Sequence, residues 1–178
     1  MKYQEVIEFW FHELQEKQWF VKDASVDEMI KKRFMAHYEA AACGECFSWR
    51  KAPEGRLAEI ICLDQFPRNM FRNSAQAFAT DPLALVLAQE AVSLGVDNKL
   101  GRRRSFLYMP YMHSESRIIQ EESLRLFNHP QISDNLQFAK GHHAIILKFG
   151  RYPHRNAVLN RATTQEEARF LEGPNSRF

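Results

Sequence analysis

The sequence predicts an all-α protein of about eight or nine helices in an antiparallel array. Apolar residues recur at intervals of three and four in segment after segment, caps and glycine stops bracket those segments, and strict two-residue alternation nowhere persists over a strand's length. The links between segments are short, which favours helical hairpins. The chain has 178 residues, 45% of them hydrophobic and 14 of them Phe. It is expected to form a single domain over residues 1–178, with an aromatic core burying roughly 70% of its unfolded surface.

Val6, Ile7, Trp10, Phe11 and Leu14 mark a first amphipathic helix from Tyr3 to about Trp19. Ser25-Val-Asp-Glu28 reads as a capping box opening a helix that carries Met29, Ile30, Phe34, Tyr38, Ala41 and Ala42 and ends at Gly44. Pro53 suits the first turn of the next helix, whose inward stripe is Leu57, Ile60, Ile61 and Asp64. Pro67 disfavours helical backbone at Phe66, so this helix is expected to stop there and leave Arg68 and Asn69 at a fixed corner.

Asn73 is expected to cap a turn running through Phe78. Thr80-Asp81-Pro82 then opens a helix bearing Leu83, Val86, Leu87 and Leu94, ended by Gly95. A short helix is expected before Pro110, with His113 or Ser114 starting the next one and Ile118, Ile119, Leu126 and Phe127 on its buried side. Ser133 reads as the cap of a helix facing inward with Phe138, His142, Ile145 and Phe149 and stopping at Gly150. Thr163-Thr-Gln-Glu166 reads as the cap of the last helix.

The charges exclude several classes. Lys and Arg number 24 against 22 Asp and Glu, a net +2, too balanced for a dedicated nucleic-acid binder. The one basic run, Arg102-Arg103-Arg104, reads as a solvated loop or helix start. No uncharged apolar run approaches membrane-spanning length and no signal-type region opens the chain, so the expectation is cytoplasmic residence with no membrane partner.

Cys43-Gly-Glu-Cys46 lacks the second ligand pair of a zinc site and closes a helix where a redox pair normally opens one, while Cys62 reads as a small core residue. With no H-E-x-x-H spacing, phosphate-cradling glycine loop, dinucleotide fingerprint or serine elbow, neither a metal nor a cofactor is expected.

Three stretches share a plan of aromatic residue, proline and polar cluster: Ile60–Asn69, Tyr108-Met-Pro-Tyr-Met-His-Ser-Glu115 and Tyr152-Pro-His-Arg-Asn156. An ionised Asp64 on an inward stripe costs several kcal/mol unless it is paired, so Arg68 or Arg155 is expected against it. Where the corners converge, Asp64, Arg68, Asn69, His113, Glu115, His142, His154, Arg155 and Asn156 make a ligand-binding set. Guanidinium forks and amides suit a carboxylate or phosphate. Asp64 or Glu115 can orient a histidine for proton transfer, which makes His113, Glu115 and His154 the catalytic candidates. The structural reading of the same residues is a buried ion pair, a hydrogen-bonded core His142 and a helix cap at His113-Ser114-Glu115.

The motifs L-D-Q-F-P-R-N, F-L-Y-M-P-Y-M-H-S-E and F-G-R-Y-P-H-R-N, in this order, resemble an uncharacterised bacterial family, domain of unknown function 924. The resemblance runs from Phe9-Trp10-Phe11 to Phe170-Leu171. It implies an all-helical fold similar to a tetratricopeptide-repeat superhelix, although no period of about 34 residues is legible. It implies no reaction. The resemblance implies that the family pattern carries over at Asp64, Gln65, Pro67, Arg68, Asn69, His113, Ser114, Glu115, Gln120, His142, Arg151, Pro153, His154, Arg155 and Asn156, which adds Arg151 to the ligand-binding set. Tyr152 stands where the family has Phe, His143 where Arg is usual, Asn160 where Gly is usual, and Cys46 where an aliphatic residue is expected.

Two functional expectations follow. One is a helical binding domain taking a ligand, or a peptide or protein segment, as fold analogy implies. The other is an enzyme that holds a small anionic molecule, phosphorylated or carboxylated, and uses a histidine as general acid or base. The fold expectation is checked by circular dichroism, which should give a helix-dominated spectrum and one cooperative unfolding transition. Strand signal or two transitions would reject the single all-α domain.

Overall fold

The computed structural model of the chain describes residues 1–174 and 176. Its α-helices are α1 (Tyr3–Glu8), α2 (Ala24–Ala42), α3 (Pro53–Asp64), α4 (Phe66–Met70), α5 (Asp81–Ser93), α6 (Arg104–His113), α7 (Arg117–Phe127), α8 (Ser133–Phe149) and α9 (Gln165–Leu171). Short 3-10 turns and one π turn join them, and the described residues include no strand. The protein is all-α. Among the described residues no helix is long and apolar enough to cross a membrane.

The central element is α3. Every residue from Leu57 to Asp64 is buried, because α1, α2, α5 and α6 all pack around this helix. A helix enclosed on all sides must be apolar all round or pair its charges. Glu59 is paired, taking two hydrogen bonds from Arg50 at 2.8 and 2.7 Å. Beyond α3, the helices α5 to α8 pack each against the next. A smaller apolar cluster of Ile145, Ile146 and Tyr152, with Phe149 and Phe170 against it, holds the end of the chain to α8.

Several elements depart from the sequence expectation, each for a local reason. The first helix is shorter than Tyr3–Trp19: α1 widens into a π turn at Phe9–Glu13, Leu14 is extended, and a 3-10 turn follows. The wide turn brings Phe9 to 4.8 Å from Phe34 and Trp10 and Phe11 to 5.6 and 5.4 Å from Phe106. The chain then folds back so that the Trp19 indole donates to the Trp10 carbonyl at 2.8 Å.

Caps slip by one or two residues. Asp23, not Ser25, caps α2 by accepting from the Ser25 and Val26 amides. Ser74 caps the turn before Phe78, while Asn73 takes a left-handed φ of 63°. Thr164 and Glu167 form the box on α9. In each case a polar neighbour competes, and the extended residue directly before the helix wins because only its side chain reaches the free amides.

Helix faces are also rotated. Val86 and Leu94 are exposed, whereas Leu87 is buried as expected, together with Ala84, Ala88 and Ala91, whose small side chains allow close approach to α3 and α6. On α7, Ile118 is 77% exposed, while Gln120 and Ser123 are buried with Leu126 and Phe127. On α8, Phe138 is exposed and Ala139 is buried beside His142, Ile145 and Ile146.

The prolines act differently from the expectation. Pro67 does not end a helix but sits in the first turn of α4, with Gln65 still in right-handed backbone between α3 and α4. Its missing N–H leaves the Leu63 carbonyl without a helical donor, and the Thr80 hydroxyl takes that carbonyl at 2.6 Å. The Arg68 amide reaches back only to Gln65 at 3.1 Å, so the Asp64 carbonyl is left to the Arg68 guanidinium. Pro110 lies inside α6, which runs on to His113, and α7 starts after Ser116. An interior proline costs about 3 kcal/mol; burying Met109, Tyr111 and Met112, each worth about 1.5–3 kcal/mol, outweighs it.

Of the basic run, Arg102 is exposed, Arg103 pairs with Glu54 at 2.9 Å, and Arg104 is buried at the start of α6, donating to the Gly101 carbonyl at 3.0 Å. The proline account predicts that Thr80→Val, which keeps the shape but removes the donor from the Leu63 carbonyl, lowers stability by about 1–3 kcal/mol in urea unfolding. A change within about 0.5 kcal/mol would mean that the carbonyl does not depend on this hydroxyl.

Candidate functional site

The site grows from the end of α3, where Asp64 is 0% exposed. Its Oδ1 meets Nδ1 of His113, the last residue of α6, at 2.8 Å, and its Oδ2 accepts from the Gln65 amide at 2.5 Å. Arg68, one turn on in α4, stands 3.4 Å from Oδ1. Burial alone would raise the Asp64 pKa, but Arg68, His113 and Gln65 together hold it well below the usual carboxylate range. An ionised carboxylate only accepts, so His113 Nδ1 carries the proton and Nε2 presents a lone pair.

The Arg68 fork donates to both oxygens of Asp81, at 2.9 and 3.0 Å. Asp81 opens α5, and its Oδ2 also accepts from Arg155 at 3.2 Å. Arg155 closes the circuit by donating to the His113 carbonyl at 3.1 Å. The Arg155 guanidinium lies 4.4 Å from the Phe78 ring and 4.7 Å from that of Tyr152, and Arg68 lies 5.6 Å from Phe78. The expected partner of Asp64 is therefore Arg68, and Arg155 is taken by Asp81.

Two further imidazoles border this circuit. His142 on α8 donates from Nδ1 to its own helix at the Phe138 carbonyl, 2.8 Å away, and its ring is 6.2 Å from that of His113. His154 lies 5.6 Å from the Tyr152 ring. Burial, followed by the charge of His113, pushes His142 down to about 3, and burial followed by Arg155 pushes His154 down to about 4. Burial and Arg68 also lower His113, against the opposing pull of Asp64. Burial thus favours the neutral form of all three rings.

The other expected residues form struts beside the circuit. Glu115 binds Arg161 through both oxygens, at 2.7 and 3.0 Å, and accepts the Tyr152 amide at 2.7 Å. Asn156 accepts from Arg161 Nε at 3.0 Å. Arg151 clamps Glu167 of α9 at 2.6 and 2.8 Å. Asn69 points away to Asp27 of α2 at 2.8 Å, alongside Arg72. Thus Asp64, Arg68, His113 and Arg155 come together with His142 and His154 beside them. Glu115, Arg151 and Asn156 fasten the chain after α8, and Asn69 belongs to a separate contact.

Tyr152, where the family resemblance leads one to expect Phe, uses its hydroxyl to donate to the Met112 carbonyl at 2.5 Å and to accept from Gln120 at 2.8 Å. It thereby satisfies the free carbonyl end of α6. Sequence reasoning missed Asp81, Phe78 and Arg161. An acid in the first turn of a helix reads as a favourable partner for the helix dipole, and nothing local reveals that Asp81 has partners 13 and 74 residues away. Among the described residues no three His, Cys, Asp or Glu side chains form a group able to hold a metal ion.

A family model described as a bacterial protein of unknown function (DUF924) matches residues 6–175. Among solved structures, a protein of unknown function from Agrobacterium tumefaciens is 39% identical and superposes with a TM-score of 0.91, over 96% of this chain and 97% of that one. No curated protein matches.

The depressed His142 pKa has a direct consequence for folding. The unfolded chain binds this proton near pH 6.5, whereas the native state refuses it until about pH 3. Stability is therefore full above about pH 6.5 and falls as pH drops, by about 1.4 kcal/mol per pH unit for this histidine. Denaturant titrations at about pH 6.5 and about pH 4.5 should show a smaller difference for His142→Gln than for wild type. Equal differences would place His142 in a solvated setting.

Proposed function

The chain belongs to the bacterial DUF924 family, whose description names no activity, and from its own side chains we propose a proton-transfer site for a small polar molecule at the α3–α6 corner. The observation that carries this reading is the Asp64–His113 contact of 2.8 Å. Asp64 is wholly buried, while the His113 side chain remains 15% exposed. A fixed carboxylate on Nδ1 sets the tautomer and aim of the ring, leaving Nε2 as the proton acceptor. A positioned base of this kind contributes about 10²–10⁴-fold to a reaction.

Neutral His142 and His154 add no charge that would compete for the proton. The Arg68 side chain beside them is 20% exposed. The three free cysteines, Cys43, Cys46 and Cys62, suit a reducing compartment and support a cytoplasmic setting. A second reading, a peptide-binding helical surface, draws on the exposed Ile118 beside Ile119 and Tyr111 at the junction of α6 and α7.

Nitrogen-15 NMR of the imidazoles should show His113 protonated at Nδ1 in the wild type at neutral pH. A thermal-shift screen of small polar molecules should yield ligands that stabilise wild type and lose their effect in His113→Gln, since only native-state binding raises the melting temperature. An Nε2-protonated ring, or ligands indifferent to His113→Gln, would count against the reading.

A further inference from the structure

We propose that Asp81 is a specificity-determining residue: by holding Arg68 and Arg155 it withdraws both guanidinium groups from solutes, so that the His113 site accepts uncharged molecules and refuses phosphates and carboxylates. This rests on the proton-transfer reading and adds the charge class of the ligand.

The outward N–H pairs of both guanidinium groups are occupied. An anion binds arginine best across two parallel N–H groups, and on Arg68 that pair already points at the two Asp81 oxygens, 2.9 and 3.0 Å away. On Arg155 the pair is divided between Asp81 at 3.2 Å and the His113 carbonyl at 3.1 Å. The third Arg155 nitrogen, Nε, is sealed from solvent and meets no acceptor among the described residues. Phe78 covers a face of both guanidinium groups, at 4.4 and 5.6 Å.

The charges balance in the same way. Arg68, Arg155 and Arg161 stand against Asp64, Asp81 and Glu115, each arginine in contact with a carboxylate. His142 and His154 are neutral. A phosphate brought here would meet no uncompensated positive charge and would lie near two carboxylates, an arrangement that is repulsive at low dielectric.

Asp81 is also poorly placed to swing aside. It begins α5 next to Pro82, and the preceding Thr80 is tied to the Leu63 carbonyl at 2.6 Å. Its hold on the arginines is built into the start of the helix.

The test is a titration with inorganic phosphate and, separately, acetate, at constant ionic strength, following the His113 ring signals by NMR. Wild-type signals should stay in place, while Asp81→Asn, which frees one positive charge, should titrate with a Kd at least about tenfold tighter than wild type. Saturable movement in wild type overturns the proposal, because the arginines are then anion receptors. A folded Asp81→Asn that ignores both anions overturns it as well. Should that variant not fold, the wild-type titration still decides. The His113 tautomer is read without added solute, so failure of the proton-transfer reading and failure of this one are separate results.

Discussion

A carboxylate with no access to water, Asp64, is the constraint on which the rest of the structure depends. Leaving it unpaired would cost several kcal/mol, comparable with the whole stability of a domain, so it must recruit donors. Those donors come from three places: Gln65 between α3 and α4, Arg68 in α4, and His113 at the end of α6. Arg68 in turn needs Asp81 of α5, Asp81 also takes Arg155, and Arg155 returns to the His113 carbonyl. The result is a closed ring of charge-assisted contacts joining α3, α4, α5, α6 and the turn after α8. Removing one partner from such a ring strands another charge, which is why its members act as a unit.

Free helix carbonyls add further acceptors around this ring. A helix uses its own carbonyls, and a proline releases one by lacking the N–H that would bind it. Pro67 frees the Leu63 carbonyl for Thr80, and the Asp64 carbonyl goes to the Arg68 guanidinium. At the end of α6, the Met112 carbonyl is met by Tyr152 and Gln120, and the His113 carbonyl by Arg155. Side chains from distant segments thus dock onto helix ends that are fixed in direction. Such rigidity suits a histidine whose use depends on its aim.

The same arrangement leaves the charges at this corner paired. Burial keeps His142 and His154 neutral, and each arginine at the corner is matched by a carboxylate. The His113 imidazole, held by the buried Asp64, remains 15% exposed. Nearby residues of similar type, Glu115, Asn156 and Arg151, spend their hydrogen bonds on Arg161, Tyr152 and Glu167 and so hold the chain in place.

Local physics within the sequence determined the helical class, the helix before Asp64 and the inward direction of that carboxylate, because three- and four-residue periodicity and capping act over a single turn or two. The stops at Gly44, Gly95 and Gly150 were legible for the same reason. Tertiary structure decided which face of α7 hides Gln120 and Ser123 while Ile118 stays exposed, since complementary packing against α6 and α8 outweighs the transfer preference of one side chain. It also decided that Arg155 serves Asp81, that Asn69 turns to Asp27, and that α6 continues through Pro110. Those outcomes depend on distances between residues far apart in the chain, and a Coulomb or hydrogen-bond partner is chosen by separation in space, which no local pattern of residues encodes.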